Sequence, residues 1–184
     1  MTVKVLVPVA NGTEEIEAVC LIDTLRRTGA EVTVASVEAM LQVTASRGTK
    51  LVADVSIADC ATTVYDCIAL PGGMPGAEHL RDCAALTTLL YCQRDAGRLY
   101  GAICAAPVVV LQHHGLLGGR AATCHPSFAA QLANPVKIAE RVVVDGHCIT
   151  SRGPGTALEF ALALIEALYG AETAREIGAQ MLVK

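Results

Sequence analysis

The stretch Gly101-Ala102-Ile103-Cys104-Ala105-Ala106-Pro107 decides the fold of this 184-residue chain. It places one cysteine between an apolar run and a helix-start signal, with small residues on both sides. This composition is typical of a strand that turns sharply into a helix with a nucleophile at the bend, because bulky neighbours would collide there. Pro107 suits the first helical turn, where the N–H that proline lacks would have no partner.

The thiol of Cys104 is the first candidate functional group. At such a bend it would face free backbone N–H groups and the positive end of a helix dipole, and both favour the thiolate. The alternative is a buried cysteine that only fills space. Because few buried cysteines stand at a strand-to-helix bend, the sequence favours a reactive thiol.

Strand-like and helix-like segments alternate on both sides of this bend. Short apolar runs predict strands at 3–9, 31–37, 50–55, 66–70, 99–103 and 121–124, and a hairpin of 142–144 and 148–151 around Asp145-Gly146. Apolar spacing and end signals predict helices at 14–28, 83–96, 105–114, 156–168 and 171–179. No linker or repeat interrupts the pattern, which predicts one α/β domain over 1–184 with a doubly wound sheet.

Composition and charge narrow the class of protein. Hydrophobic residues make up 53% and aromatic residues 3% of the chain, which suits an aliphatic parallel sheet covered by helices. The net charge is −4 without a basic cluster, so we expect neither nucleic acid nor a membrane surface as partner. The eight cysteines are scattered, and the apolar start of the chain is short and carries Lys4. These features predict a reduced, cytoplasmic protein without a secretory leader or a membrane span.

Three predicted strand ends carry unusual residues, at 11–17, 71–76 and 101–107. Doubly wound sheets bind ligands beyond the carboxyl ends of their strands. Gly72 and Gly73 follow a strand directly, and the N–H groups of Gly73 and Ala105 could form an oxyanion hole. The alternative is a plain turn at Gly72-Gly73.

Glu17 lies one turn into the first predicted helix. Ile16 and Cys20 flank it on the side expected to face the core, so its carboxyl should point towards the strand ends. A partly buried carboxyl has a raised pKa and can exchange protons near neutrality. Glu14 and Glu15, by contrast, are interpreted as surface acids that complement the helix dipole, after a turn and cap at 11–13.

His125, Arg47 and Arg152 are further candidates with open alternatives. His125 follows the predicted strand 121–124 and could orient or assist the thiol, or be a capping or surface histidine. Arg47 and Arg152 are candidate anion-binding residues, although solvated surface charges explain each alone. Cys124-His125 is the sole hint of metal ligands, and no other residues have ligand spacing, so no metal site is predicted.

Five collinear motifs resemble the ThiJ/PfpI superfamily, and within it the branch of the Parkinson-disease-associated protein deglycase. They are N-G-T-E-E-I-E (11–17), A-L-P-G-G (69–73), A-I-C-A-A-P (102–107), C-H-P (124–126) and S-R-G-P-G-T-A-L-E-F-A-L (151–162). The resemblance covers essentially the whole chain. It implies a flavodoxin-like fold, helices on both faces of a mostly parallel sheet, and a homodimer.

The resemblance also implies roles for the candidate residues. Cys104 would be an easily oxidised thiol, Glu17 its protonated partner and His125 the third member, with Gly73 and Ala105 lining an anion pocket. Members are described as glutathione-independent glyoxalases, protein deglycases, and oxidative-stress sensors with chaperone activity. The related peptidase branch carries a histidine where this chain has Ala105, and glutamine amidotransferases need a late H-x-E pair that His147 does not provide.

Two functions follow for the same residues. As an enzyme, Cys104 would add to a 2-oxoaldehyde such as methylglyoxal, free or as a glycated protein, and Glu17 would transfer the proton, with no metal or organic cofactor. Alternatively, Cys104 would be a peroxide sensor that stops at the sulfinic acid. The apolar residues of the first helix are too widely spread for one core-facing stripe, which predicts that part of their surface faces a second subunit in a homodimer. They are Ile16, Val19, Leu21, Ile22 and Leu25.

Overall fold

The computed structural model of the chain describes residues 2–183. Seven strands form one sheet, and two short strands form a separate ribbon. The strands are β1 (Lys4–Val9), β2 (Glu31–Ser36), β3 (Gln42–Thr44), β4 (Lys50–Val52), β5 (Val55–Ser56), β6 (Cys67–Leu70), β7 (Leu99–Ile103), β8 (Val142–Asp145) and β9 (Cys148–Ser151). The sheet has the order β5-β2-β1-β6-β7-β9-β8, and within it only the β8–β9 pairing is antiparallel among the described strands. The mostly parallel sheet is therefore confirmed.

Helices cover both faces of this sheet. They are α1 (Glu15–Arg26), α2 (Gly76–Asp82), α3 (Ala84–Asp95), α4 (Ala157–Tyr169) and α5 (Ala171–Gln180), with a π-helical segment at Pro107–Gln112. Successive strand residues alternate between two cores, as a pleated strand requires. Leu6 packs with α2 and α3, whereas its neighbours Val5 and Val7 pack with α1 and α4. This is the doubly wound, flavodoxin-like arrangement that the sequence predicts.

Two predicted strands differ from the structure, and helix α2 and the short strand β3 are elements that were not predicted. The strand predicted at 50–55 is split, because Asp54 leaves the β3–β4 ribbon to bind the Val34 N–H at 2.9 Å. The segment 121–124 is not a strand, since Ala121 and Thr123 donate to the side chains of Asp145 and Thr150 rather than to a strand backbone. A helix also precedes the one predicted at 83–96, namely α2, which starts directly after Pro75.

The loops at the carboxyl ends of β1 and β6 interlock. β1 and β6 are neighbours at the point where the chain changes direction across the sheet, which is where such folds bind ligands. The Glu14 N–H donates to the Gly72 carbonyl at 2.9 Å. Gly73 has φ +88°, and a Cβ there would lie 2.4 Å from the Gly12 carbonyl oxygen, so only glycine allows this approach. The two loops therefore pack directly against each other.

Candidate active site

Cys104 stands at a strained bend between β7 and the π-helical segment. Its φ is +66°, a left-handed conformation that is costly for a residue other than glycine. Two backbone hydrogen bonds fix the bend. The Cys104 N–H donates to the Ser151 carbonyl at 3.0 Å, and the Cys104 carbonyl accepts from the His125 N–H at 2.8 Å. The strand-to-helix bend expected from the small residues around Cys104 is therefore present.

The carboxyl of Glu17 is fully buried beside this bend. Its Oε2 atom accepts a hydrogen bond from the Gly72 N–H at 2.7 Å, and its Oε1 atom has no hydrogen-bond partner among the described residues. Gly72 packs against both groups, since a Cβ on Gly72 would lie 2.6 Å from the Cys104 Cβ and 3.0 Å from Glu17 Oε2. The buried carboxyl and the thiol therefore lie against the same glycine.

Burial raises the pKa of Glu17 to about 7. The Gly72 N–H opposes this by stabilising the carboxylate, while the nearby Glu14 carboxylate raises the pKa further. The raised pKa agrees with the prediction from sequence, but the predicted orientation of the helix is partly wrong. Ile16, assumed to face the core, is 53% exposed, whereas Ala18, Leu21 and Leu25 are buried with Glu17.

The pKa of the Cys104 thiol moves in the direction opposite to the expectation. Burial and then the ionised Glu17 carboxylate raise the pKa of Cys104 to about 12, although the N–H groups of Gly73 and Ala105 act against both. The bend alone therefore does not produce a thiolate while Glu17 is ionised, because two negative charges would be buried together. A proton on Glu17 removes one of these two causes and so favours the thiolate, which means that the titrations of the two groups are coupled.

The structure thus brings Cys104, Glu17, Gly72, Gly73 and Ala105 together. The N–H groups of Gly73 and Ala105 both stabilise negative charge on the Cys104 sulfur. They converge from two different loops, one after β6 and one at the start of the helix after β7. The use of these two N–H groups as an oxyanion hole stays a prediction.

His125 adjoins the bend through its backbone, and its side chain caps a helix. The Nδ1 atom of His125 accepts from the Ser127 N–H at 3.2 Å, at the start of the 3₁₀-helix Pro126–Gln131. On its other side the ring lies against Gly153, where a Cβ would be 3.4 Å from the His125 Cδ2. The capping role is therefore observed, and assistance to the thiol stays a prediction.

Arg47 lies at the exposed turn between β3 and β4, which α1 holds in place. Its backbone N–H donates to Glu15 Oε1 at 2.9 Å, and the Ser46 hydroxyl donates to Glu15 Oε2 at 2.8 Å. Although burial opposes it, these and further hydrogen bonds lower the pKa of Glu15 to about 2. The interpretation of Glu15 as a surface acid is wrong, since it is 9% exposed and anchors this turn.

Arg152 lies on the other side of the site, after β9. Its Nη1 atom donates to the Ala139 carbonyl at 3.4 Å. Arg152, His125, Gly153 and Pro154 line a shallow groove of about 250 Å³. An anion-binding role for Arg152 or Arg47 stays a prediction.

Glu14 is a site residue that sequence reasoning missed. Its Oε2 atom accepts from the Glu17 N–H at 2.8 Å and caps α1, a role that was assigned to the preceding residues 11–13. Thr13 instead turns its hydroxyl towards the Ala10 N–H, at 2.9 Å. The available signal is a Glu three residues before Glu17, but Glu is an uncommon helix cap, so the sequence favours Thr13.

Among residues 2–183, no three His, Cys, Asp or Glu side chains converge in a way that could hold a metal ion. In the same part of the chain, no helix has the length and apolar character that crossing a bilayer requires.

Comparison with known proteins identifies the family of the chain. The sequence profile of the DJ-1/PfpI family matches residues 3–167. The chain belongs to the DJ-1/PfpI family. A solved structure titled Toxoplasma gondii DJ-1, oxidized, superposes with a TM-score of 0.95 at 55% identity, over 98% of each chain. These findings confirm the resemblance to the DJ-1 branch, and with it the fold.

Curated relatives match over most of the chain. Protein DJ-1 homolog B of Arabidopsis thaliana is 48% identical over 100% of this chain and 42% of its own length. The chain therefore spans less than half of that relative. A Caenorhabditis elegans protein named glutathione-independent glyoxalase DJR-1.2 is 38% identical over 86% of this chain and 84% of its own length.

Proposed function

We propose that this chain is a cysteine-dependent, cofactor-independent enzyme that converts 2-oxoaldehydes such as methylglyoxal to 2-hydroxy acids. The observation that carries the proposal is the buried Glu17 carboxyl, whose pKa is raised to about 7 and whose Oε1 is free, beside the Cys104 bend. Such a carboxyl can both take and return a proton at neutral pH. The glyoxalase name of the Caenorhabditis elegans relative supports the same reaction class.

The first step is addition of the Cys104 thiol to the aldehyde. With the proton on Glu17, the thiolate forms a carbon–sulfur bond and the aldehyde oxygen becomes an oxyanion. The N–H groups of Gly73 and Ala105 stabilise that charge until the oxygen takes a proton, which Glu17 can supply. The product is a hemithioacetal on Cys104, and Glu17 is now a carboxylate.

The second step moves a hydrogen between adjacent carbons. The Glu17 carboxylate removes the proton from the sulfur-bearing carbon, which gives an enediolate. The hydroxyl proton then passes from one enediolate oxygen to the other, and Glu17 returns its proton to the neighbouring carbon, which gives a thioester. Water then cleaves the thioester, releases the 2-hydroxy acid and restores the thiol. One water is consumed, and no oxidant or reductant is needed.

We also propose a second substrate class, a cellular role and an oligomeric state for this enzyme. A glycated protein, carrying the same adduct of a 2-oxoaldehyde, is a second substrate class. We also propose a cytoplasmic role against carbonyl and oxidative stress, and a homodimer. The α1 face supports the dimer, since Ile16 is 53% and Val19 48% exposed.

A second candidate function is a non-enzymatic redox sensor with chaperone activity. Two molecules of peroxide would convert the Cys104 thiol to the sulfinic acid and release two waters. The free Oε1 of Glu17 favours this candidate, because a protonated carboxyl could donate a hydrogen bond to the oxidised sulfur. The solved structure of Toxoplasma gondii DJ-1 is described as oxidized, and this description applies to that protein.

Turnover of methylglyoxal by the purified chain tests the proposal. We expect 2-hydroxy acid without added cofactor, and its loss in Cys104→Ser prepared in the same way, which controls for contaminating glyoxalases. If both preparations give the same rate, the activity does not belong to Cys104, and the sensor becomes the better account.

A further inference from the structure

One carboxylate outside the site joins the two loops that form it. Glu38 lies between β2 and β3, and its Oε1 atom accepts a hydrogen bond from the Asn11 N–H at 2.9 Å. The same Oε1 atom lies 2.6 Å from Nδ1 of His79, which is on α2. Asn11 follows β1, and α2 follows the Gly72–Gly73 turn, so Glu38 contacts both segments that interlock at the site.

Glu38 is itself held in place. Its N–H donates to the Ser36 hydroxyl at 3.1 Å, and that hydroxyl donates to the Met40 carbonyl at 2.7 Å. Burial opposes ionisation, but the hydrogen bond from His79 and then that from Asn11 lower the pKa of Glu38. Glu38 is therefore a fixed carboxylate rather than a mobile surface side chain.

The first contact of Glu38 leads to the acid of the site. Asn11 is tied to the β3–β4 ribbon, since its Oδ1 accepts from the Thr44 N–H at 2.9 Å. Three residues later, Glu14 donates its N–H to the Gly72 carbonyl and accepts the Glu17 N–H. A shift at Asn11 would therefore displace the start of α1, which carries Glu17.

The second contact leads to the oxyanion hole. His79 lies in the first turn of α2, where the Ala77 N–H donates to the Gly73 carbonyl at 2.8 Å and the His79 N–H donates to Pro75 at 3.1 Å. The two loops touch without spare room, because a Cβ on Gly12 would lie 2.5 Å from the Pro75 ring. A shift of α2 would therefore move the Gly73 carbonyl, and with it the residue whose N–H faces Cys104.

We propose that Glu38 is a positioning residue, which holds the Asn11–Glu14 segment against α2 so that Glu17 stays on the Gly72 N–H beside Cys104. An exposed ion pair contributes little by itself. The contribution here comes from one oxygen binding a backbone N–H and an imidazole on two different loops. The inference concerns the same site as the proposed function, and turnover is only one of its two measurements.

The pH dependence of Cys104 alkylation tests the inference without turnover. The rate of iodoacetamide labelling is mapped to the Cys104 peptide and plotted against pH. This curve should inflect at the pH where the Glu17–Cys104 pair titrates. In Glu38→Ala the loosened loop admits water to the Glu17 carboxyl, so we expect the inflection to fall by about one pH unit. Glu38→Gln keeps an acceptor for the Asn11 N–H and should shift the inflection less than half as far.

The matched control is Asp95→Ala, which breaks an exposed ion pair with Arg94 at 2.7 Å at the opposite end of the sheet. We expect its inflection to equal that of the unsubstituted chain. An unchanged inflection in Glu38→Ala, including one accompanied by a lower melting temperature, would overturn the inference. If Glu38→Ala does not fold, His79→Ala replaces it, because this variant removes the α2 contact alone. The inference is then overturned if the inflection is unchanged in both His79→Ala and Glu38→Gln.

Turnover gives the second measurement. A misplaced reacting group slows the chemical step more than it weakens substrate binding. We therefore expect kcat for methylglyoxal to fall about 10-fold in Glu38→Ala, with a smaller change in KM. If KM alone changes, Glu38 acts on binding and the positioning role is wrong. If the unsubstituted chain shows no turnover, the proposed function fails, and the alkylation profile still decides the role of Glu38.

Discussion

The Oε2 atom of Glu17 accepts a hydrogen bond of 2.7 Å from the N–H of Gly72, 55 residues further along the chain. This bond holds a buried acid beside the Cys104 bend and leaves its Oε1 atom free. Because the ionised Glu17 carboxylate raises the pKa of Cys104, the titrations of the acid and the thiol are coupled.

Gly72→Ala should disrupt the site and lower stability. The new Cβ would lie 2.6 Å from the Cys104 Cβ and 2.8 Å from the Ile103 carbonyl oxygen, so the bend or the β6 loop has to move. We expect the free energy of unfolding to fall by about 1–3 kcal/mol, as for other overpacked positions. Gly155→Ala is the control, because a Cβ there meets nothing within 4 Å. Equal denaturation midpoints for the two variants would contradict the close packing at Gly72.

Stability should depend on pH through Glu17. Its pKa is raised from 4.5 to about 7 on folding, so the folded state keeps a proton that the unfolded state loses. The associated stability is complete below about pH 4.5 and is lost as the pH rises through about 7, by about 3 kcal/mol in total.

The comparison with Glu17→Gln isolates this contribution. The pKa of Glu15 is lowered to about 2, so its contribution to the unfolding free energy is lost as the pH falls. This contribution is the same in both proteins. We therefore expect the difference in unfolding free energy between Glu17→Gln and the unsubstituted chain to grow by about 3 kcal/mol in favour of the variant from pH 4.5 to 8. Urea unfolding at several pH values measures it. A difference that stays constant would show that Glu17 titrates normally.

The exposed face of α1 should mediate self-association. Ile16→Glu and Val19→Glu each place a charge on this face without touching the core, and we expect both to convert a homodimer to a monomer. Val144→Glu changes a similarly exposed residue on β8, 54% exposed, and should leave the oligomeric state unchanged. Sedimentation velocity at micromolar concentration distinguishes these results. A monomeric unsubstituted chain would refute the dimer.

Sequence predicted the features that depend on neighbouring residues. The bend at Cys104 follows from small residues and Pro107 within seven positions, and the alternation of strands and helices follows from local apolar patterns. The family resemblance added the partnership of Glu17 with Cys104, because a carboxyl and a thiol on different loops leave no local signal of their contact.

The features that sequence reasoning missed depend on distant partners. Glu15 is buried because Ser46 and the Arg47 N–H reach it from another loop. The segment 121–124 lacks strand pairing because Thr123 bonds the Thr150 side chain, 27 residues away. The raised pKa of Cys104 likewise comes from burial and from a charge on a different element, neither of which the composition of the bend encodes.

Formation of 2-hydroxy acid from methylglyoxal by Glu17→Gln tests the central claim most directly. The amide can still accept the Gly72 N–H and fill the same space, but it cannot transfer a proton. We predict a rate about 10²–10⁴-fold below that of the unsubstituted chain, with the folded state intact. A rate within a few-fold of the unsubstituted chain would contradict proton transfer by Glu17 and leave it only the positioning of the thiol.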